Sequence, residues 1–259
     1  MIKRFTFRAE ELIPLVDWIH FYHAWQVKPG TDEAEELRHE ALRWLAEKAP
    51  DTVANGIFTE VKAHSDGDNI VVGETHIPLL RQQKPGTDGN TLCLSDFVSP
   101  EEDNIGIFAT ASHIADDNPS LPVDKSSLSG NKSSLADDPY AALLRQTLST
   151  RLAEAAAEKL QHDTMPGIRP AVGYPCMPDL SVLFILDKLC PVREAGIRLT
   201  ENGAMIPQAS VAGFIIPHPQ ARYFAVGRIG EDQFRDYARR RGMKPDEMKK
   251  FLKNTDAKS

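Results

Sequence analysis

The stretch GIRPAVGYP, residues 167–175, is the one on which the reading of the chain turns. Pro170 and Pro175 fix their own φ and push the preceding residues, Arg169 and Tyr174, toward extended backbone. Gly173 permits a turn or the close approach of backbone to a ligand. Neither a helix nor an ordinary strand is written this way, so the sequence predicts a rigid, irregular ribbon. Its N–H and C=O groups at Ala171 and Gly173 must find partners, and a planar heterocycle with donors and acceptors is one candidate. Arg169 offers a fork suited to a carboxylate, and Tyr174 a ring face suited to a cation. The alternative is a crossover held together by Arg169 pairing with Glu154 or Asp179.

On the N-terminal side of the ribbon stands the clearest helix in the chain. Asp138 is a good N-cap and Pro139 fits the first helical position. Tyr140, Leu144, Leu148, Leu152, Ala155 and Ala156 follow as an apolar stripe, with Thr147, Arg151, Glu154 and Glu158 on the opposite face. On the C-terminal side, LSVLFILDKL (180–189) reads as helix. IRLTENGAMIP and ASVAGFIIPHPQARYFAVGRI read as strands broken by Gly and Pro. Glu231 to Arg240 is a helix with acids first and arginines last, capped by Gly242; Pro245 opens a last helix, EMKKFL.

Further upstream, a strand in the first eight residues leads into a helix from Glu10 to about Gln26. A second helix, about Asp32 to Lys48, buries Leu37, Ala41, Leu42 and Leu45. Ala54 to Ile77 alternates as a hairpin about HSDGDN, and short strands at Leu92–Phe97 and Ile105–Ala111 extend the sheet. Residues 113–137 are rich in Ser, Asp, Asn and Pro and predict a mobile polar loop. Strands at both ends with helices grouped between them indicate an α+β fold, expected as one domain over residues 1–259 with a central, twisted, mainly antiparallel sheet.

The bulk chemistry excludes several functions. A net charge of −7 argues against nucleic acid or anionic membrane as partner. No apolar segment is long enough to span a bilayer and no signal peptide opens the chain, so a cytoplasmic protein is expected. Cys93, Cys176 and Cys190 show no CxxC spacing, and no disulfide framework or zinc site is expected. His20 and His23 are i,i+3 neighbours without a third ligand nearby. There is no P-loop, GxGxxG, HExxH or GxSxG, and Cys176 has no base beside it. No catalytic residue and no metal site are predicted.

GIRPAVGYP-x-x-PD, taken with LTENGAMIPQASVAGFIIPHPQARYFAVGRI, resembles the activation domain of cobalamin-dependent methionine synthase. LVDWIHFYHAW (15–25), GIF (56–58), LSDFV (94–98), the DPYAALL…RLAEAAAE helix and the DQFRDYARRRGM helix fall in that family's order, over roughly residues 10–252. The resemblance implies a domain that binds S-adenosylmethionine, whose methyl group rescues cobalamin from the inactive cob(II)alamin state with an electron from flavodoxin or another reductant. The matching binding positions are Asp17, Arg169, Ala171, Gly173, Tyr174 and Tyr223, with Glu154 as a further candidate. Arg169 would take the ligand's carboxylate, and Asp17 or Glu154 would compensate its ammonium or sulfonium charge. The backbone near Ala171 and Gly173 would meet the adenine, and Tyr174 and Tyr223 would flank the ligand.

The homocysteine, folate and cobalamin modules of the full-length enzyme are not in this sequence, nor is the DxHxxG motif that supplies histidine to cobalt. The resemblance therefore implies a free-standing module acting in trans on the cobalamin-binding domain of a methionine synthase that lacks its own activation domain, with cobalamin reached only through that partner. Thr150 stands where the family usually has an aspartate, one turn before Glu154. LSVLFILDK replaces a polar His-Thr-Glu run, Cys176-Met177 replaces Ala-Cys, and Ile206 and Gln208 replace Trp and Gly. Those changes raise two alternatives: an activator of another corrinoid methyltransferase, or a non-catalytic S-adenosylmethionine-binding interaction protein.

Overall fold

The computed structural model describes residues 1–48, 50–86, 89–114 and 138–252. The expected polar loop therefore lies outside the described residues, apart from its first two. Six strands make the main sheet: β1 (Lys3–Arg8), β2 (Val53–Asp66), β3 (Asn69–Val72), β4 (Thr75–Pro78), β5 (Asp103–His113) and β8 (Ser210–Ile215). Their order is β4-β3-β2-β5-β8, with β1 also paired to β2. Every pairing is antiparallel. A separate two-stranded ribbon joins β6 (Arg198–Leu199) to β7 (Met205–Ile206). With its several helices this is the α+β architecture that the sequence predicts.

Alternation along the strands builds a core on each face of the sheet. Phe58 and Phe108 are register partners on one face. They pack with Leu152, Ala153, Ala156 and Leu160 of the long helix α4 (Pro139–Thr164). Ile57, Ile107 and Phe214 face the other way, against Val182, Leu183 and Leu186 of α5 (Val182–Leu189). Thr110, fully buried, donates its hydroxyl to the Ala153 carbonyl at 3.0 Å and so ties α4 to the sheet. Asp138 caps α4 as predicted, its carboxylate accepting from the Tyr140 N–H at 2.9 Å.

Three sequence readings require correction. The helix expected from Glu10 to Gln26 is broken into α1 (Ala9–Leu12), a 3₁₀ turn at Ile13–Leu15 and α2 (Trp18–Ala24). Pro14 sits inside that turn, where a continuing α-helix would need its absent N–H. Leu92–Phe97 is no strand: Leu94–Phe97 is a 3₁₀ turn whose apolar residues plug the core beneath the sheet. The segment 217–229 is irregular and not a strand, because it bonds to loops and not along a ladder: Val226 N–H donates to the Pro175 carbonyl at 2.9 Å. The predicted helix at Asp32–Lys48 is present as α3 (Asp32–Lys48), burying Leu37 and Ala41 against α2 and the start of α4, and Leu45 in the core beneath the rest of α4. At the C-terminus, α6 (Glu231–Arg240) forms as predicted, while α7 covers only Pro245–Met248.

The GIRPAVGYP ribbon lies along the free side of β8. Ile168 bridges Ile216 and Ala171 bridges Gly213. Four backbone bonds hold it there: Val172 N–H to the Ala212 carbonyl at 2.9 Å, Phe214 N–H to the Pro170 carbonyl at 3.0 Å, and the reciprocal pair between Ile168 and Ile216 at 3.1 and 2.9 Å. Contact is this close because residue 213 has no side chain: a Cβ there would fall 2.1 Å from the Pro170 oxygen and 2.7 Å from the Ala171 Cα. Both are backbone atoms, which no rotamer change can move. Gly213→Ala is therefore expected to lift the ribbon from the sheet and to lower stability by about 1–3 kcal/mol, as overpacking does. A denaturant titration reads this directly, and an unchanged midpoint would refute the close-contact argument.

Candidate functional site

Between α4, the ribbon and the segment 223–225 lies a cleft of about 460 Å³. That is within the range of small-molecule sites, roughly 300–1,000 Å³. Its walls include Glu154 from α4, Arg169 to Ala171 and Tyr174 to Cys176 from the ribbon, and Tyr223 to Ala225. The last segment is held alongside the ribbon at two points. The Arg169 N–H donates to the Tyr223 phenol oxygen at 2.8 Å, and the Val226 N–H donates to the Pro175 carbonyl. Five of the seven sequence-predicted residues, Glu154, Arg169, Ala171, Tyr174 and Tyr223, thus come together in one place.

The polar chemistry of the cleft is a linked set. Arg169 packs over the ring of Phe108 at 5.8 Å, and its Nη1 stands 3.6 Å from Glu154 Oε2. The Tyr174 hydroxyl donates to the other oxygen of Glu154. Burial, followed by the negative charge of Glu154, raises the Tyr174 pKa well above its ordinary value, so the phenol keeps its proton and remains a donor. Tyr174 and Tyr223 are nevertheless 45% and 62% exposed, so two aromatic residues border an open cleft. Of the two partners considered for Arg169, Glu154 is the one in place. Asp179 instead pairs with Arg241, Oδ2 to Nε at 3.2 Å, in a buried cluster with Tyr237 and Ser181.

Ala171 and Gly173 are used differently. Ala171 stands in a non-hydrogen-bonded pair with Gly213, so its own N–H and C=O point away from β8. Gly173, at φ 89°, makes the turn and donates its N–H to the Met177 carbonyl at 2.8 Å. It shapes the ribbon and does not line the cleft. Asp17 is not among the lining residues either. It is the N-cap of α2, accepting from the His20 N–H at 3.0 Å and contacting His20 Nδ1 at 2.6 Å. The His20 backbone bond is the main reason its pKa is lowered. His20 lines a second groove, with Thr150 and Arg151 of α4, that begins one turn before Glu154.

His20 and His23 have ring centroids 6.2 Å apart, and the described residues hold no group of three or more potential metal ligands. No helix among them is long and apolar enough to cross a membrane. Cys176 lines the cleft but is buried, and burial pushes its thiol up to about 11; burial likewise pushes Cys93 up to about 11 and Cys190 to about 12. All three are free thiols. Iodoacetamide at about pH 8 is expected to leave them unmodified in the folded protein and to label them after denaturation, since the thiolate is the nucleophile. The unfolded chain ionises first, so stability falls as pH rises from 9.0 toward about 11. Rapid native-state labelling would contradict this.

Sequence reasoning missed Pro170, Pro175, Cys176, Phe224 and Ala225 as walls of the cleft, and Gln161 beside it. Gln161 had a readable signal: it continues the polar stripe Thr147, Arg151, Glu154, Glu158 at the same spacing. Phe224 had none, since its role depends on where an irregular segment is tied down. The LSVLFILDK departure has a structural meaning, because Val182, Leu183 and Leu186 are buried in the core.

Two comparisons bear on this site. The family model described as "Vitamin B12 dependent methionine synthase, activation domain" matches residues 8–165 and 160–242. The crystal structure of the MetH reactivation domain bound to AdoHcy is similar over 100% of this chain and 91% of that one, with a TM-score of 0.81 and 29% identity. Ribbon, flanking helix and sheet are thus those of a known fold, and the chain belongs to the family of vitamin B12-dependent methionine synthase activation domains.

Proposed function

We propose that the cleft binds S-adenosylmethionine and presents its methyl group to a cobalamin held by a separately encoded methionine synthase, in trans, so restoring that enzyme from its inactive cob(II)alamin state. The observation that carries this is the match between the cleft's groups and the ligand's. Arg169 offers a guanidinium fork, and its 3.6 Å contact with Glu154 is too long for a hydrogen bond, so a ligand carboxylate can take its place. Glu154 is then the counter-charge for the ligand's ammonium, with Tyr174 holding one of its oxygens. The rings of Tyr174 and Tyr223 suit the cationic sulfonium. The outward N–H of Ala171, with Pro170, Phe224 and Ala225 around it, suits the adenine, while the Ala171 carbonyl accepts from the Tyr174 N–H at 3.3 Å. Asp17, kept ionised by its capping bond, would add a second negative charge from α2.

AdoHcy, bound in the related structure, is what remains of S-adenosylmethionine after methyl transfer. The partner's cobalamin would supply the acceptor for the methyl group, and flavodoxin or another reductant the electron. The residues of this chain bind and orient the donor, which is positioning and not covalent chemistry. A cytoplasmic site of action fits three unpaired thiols.

Calorimetry with S-adenosylmethionine tests the first half; no heat of binding at high micromolar ligand would end the proposal. The second half is read by adding the protein to a methionine synthase trapped as cob(II)alamin, with reductant and S-adenosylmethionine. Turnover should recover only when this chain is present. The altered 180–188 segment and the Cys176-Met177 pair are the two reasons to consider another corrinoid enzyme; of the first, Val182, Leu183 and Leu186 are core residues, which favours packing as the reason for its apolar character.

A further inference from the structure

The polar stripe of α4 runs past Glu158 to Gln161, two helical turns beyond Glu154 on the same side. Its amide makes two bonds of opposite sense. Nε2 donates to the Gly167 carbonyl at 2.6 Å, and Oε1 accepts from Arg169 Nε at 3.3 Å. Only this orientation of the amide satisfies both partners: turned over, it would set NH₂ against a guanidinium N–H and oxygen against a carbonyl. One helix-borne side chain therefore grips the first residue of the ribbon and the inner nitrogen of the arginine together.

The other restraints on Arg169 are weaker in direction. The Phe108 ring limits the guanidinium on one side, and Glu154 attracts it without a hydrogen bond. Among the described residues, Gln161 is the side chain that hydrogen-bonds the guanidinium. Holding Nε closes the side-on fork and leaves the two terminal nitrogens as the end-on fork for a carboxylate, one of the two bidentate geometries a guanidinium offers. We propose that Gln161 is a positioning residue that makes the cleft selective for a ligand carboxylate, distinguishing S-adenosylmethionine from an otherwise identical sulfonium nucleoside that lacks it. This rests on the reading that the cleft takes S-adenosylmethionine.

The test is calorimetric titration of S-adenosylmethionine and of decarboxylated S-adenosylmethionine into the wild type and into Gln161→Met, which keeps length and helix propensity but removes both hydrogen bonds. The wild type should prefer the carboxylate-bearing ligand. The variant should lose about tenfold in affinity for it, the scale of one hydrogen bond to a charged group, and bind the decarboxylated ligand as before. Equal weakening toward both ligands, or no change toward either, overturns the proposal and leaves Gln161 as a tie between helix and ribbon. A wild type that binds neither ligand overturns the S-adenosylmethionine reading itself.

Discussion

Arg241→Met is expected to lower the stability of the folded chain by about 3–5 kcal/mol, the cost of stranding a buried carboxylate without its cation. Asp179 and Arg241 are 2% and 4% exposed, so water cannot take over from the lost partner. The carboxylate accepts from the Ser181 hydroxyl at 2.8 Å and the Tyr237 hydroxyl at 2.7 Å, while Arg241 Nη2 donates to Ser181 Oγ at 2.6 Å. Burial first, then the charge of Asp179, raises the Tyr237 pKa well above its usual value, so that phenol stays a donor throughout the accessible pH range. Urea denaturation would show a lower midpoint at an unchanged slope. Adding Asp179→Asn to the variant should return much of the loss, because the stranded charge is then gone. A single-variant loss below about 1 kcal/mol would place this pair with ordinary surface ion pairs.

The second large effect concerns binding. Arg169→Ala is expected to cost about 2–5 kcal/mol in affinity for S-adenosylmethionine, the range for truncating one side of a desolvated charge pair. The fold should survive, since Glu154 keeps the Tyr174 hydroxyl and the ribbon keeps its bonds to β8. Arg169→Lys should recover little, because an ammonium is a point donor without the planar fork. Calorimetry on both variants, with circular dichroism to confirm folding, reads the outcome. Normal binding by Arg169→Ala, or its failure to fold, would assign Arg169 to holding the crossover together.

Much of the fold is legible in the amino-acid sequence. The α4 stripe, the acids-first order of α6 and the alternation that opens at Ala54 each follow from local periodicity or capping, and α4, α6 and β2 formed where expected. The ribbon was recognisable because two prolines and two glycines exclude regular structure. The misreadings share a cause, which is that apolar spacing reports burial and not hydrogen bonding. Leu94 and Phe97 are buried as strand residues would be, and so are Val226 and Ile229 within 217–229, yet the backbones around them bond to turns and loops. The site was legible only as a set of residue types. That Glu154 meets Arg169 and Tyr174, while Gly173 turns its N–H inward, depends on how a long helix lies across the sheet.

The Asp179 cluster has a thermodynamic consequence for the far end of the chain. Asp179 follows the ribbon by four residues, whereas Tyr237 and Arg241 belong to α6 and its C-cap. Undocking α6 would remove two of the groups that hold this turn, so the loop beneath the cleft and the C-terminal helix should open as one cooperative unit. A ligand that binds only the closed ribbon then stabilises a helix it never touches, by an amount set by its concentration relative to its dissociation constant. Occupancy of the cleft becomes a setting of C-terminal order, readable at amides outside the binding site.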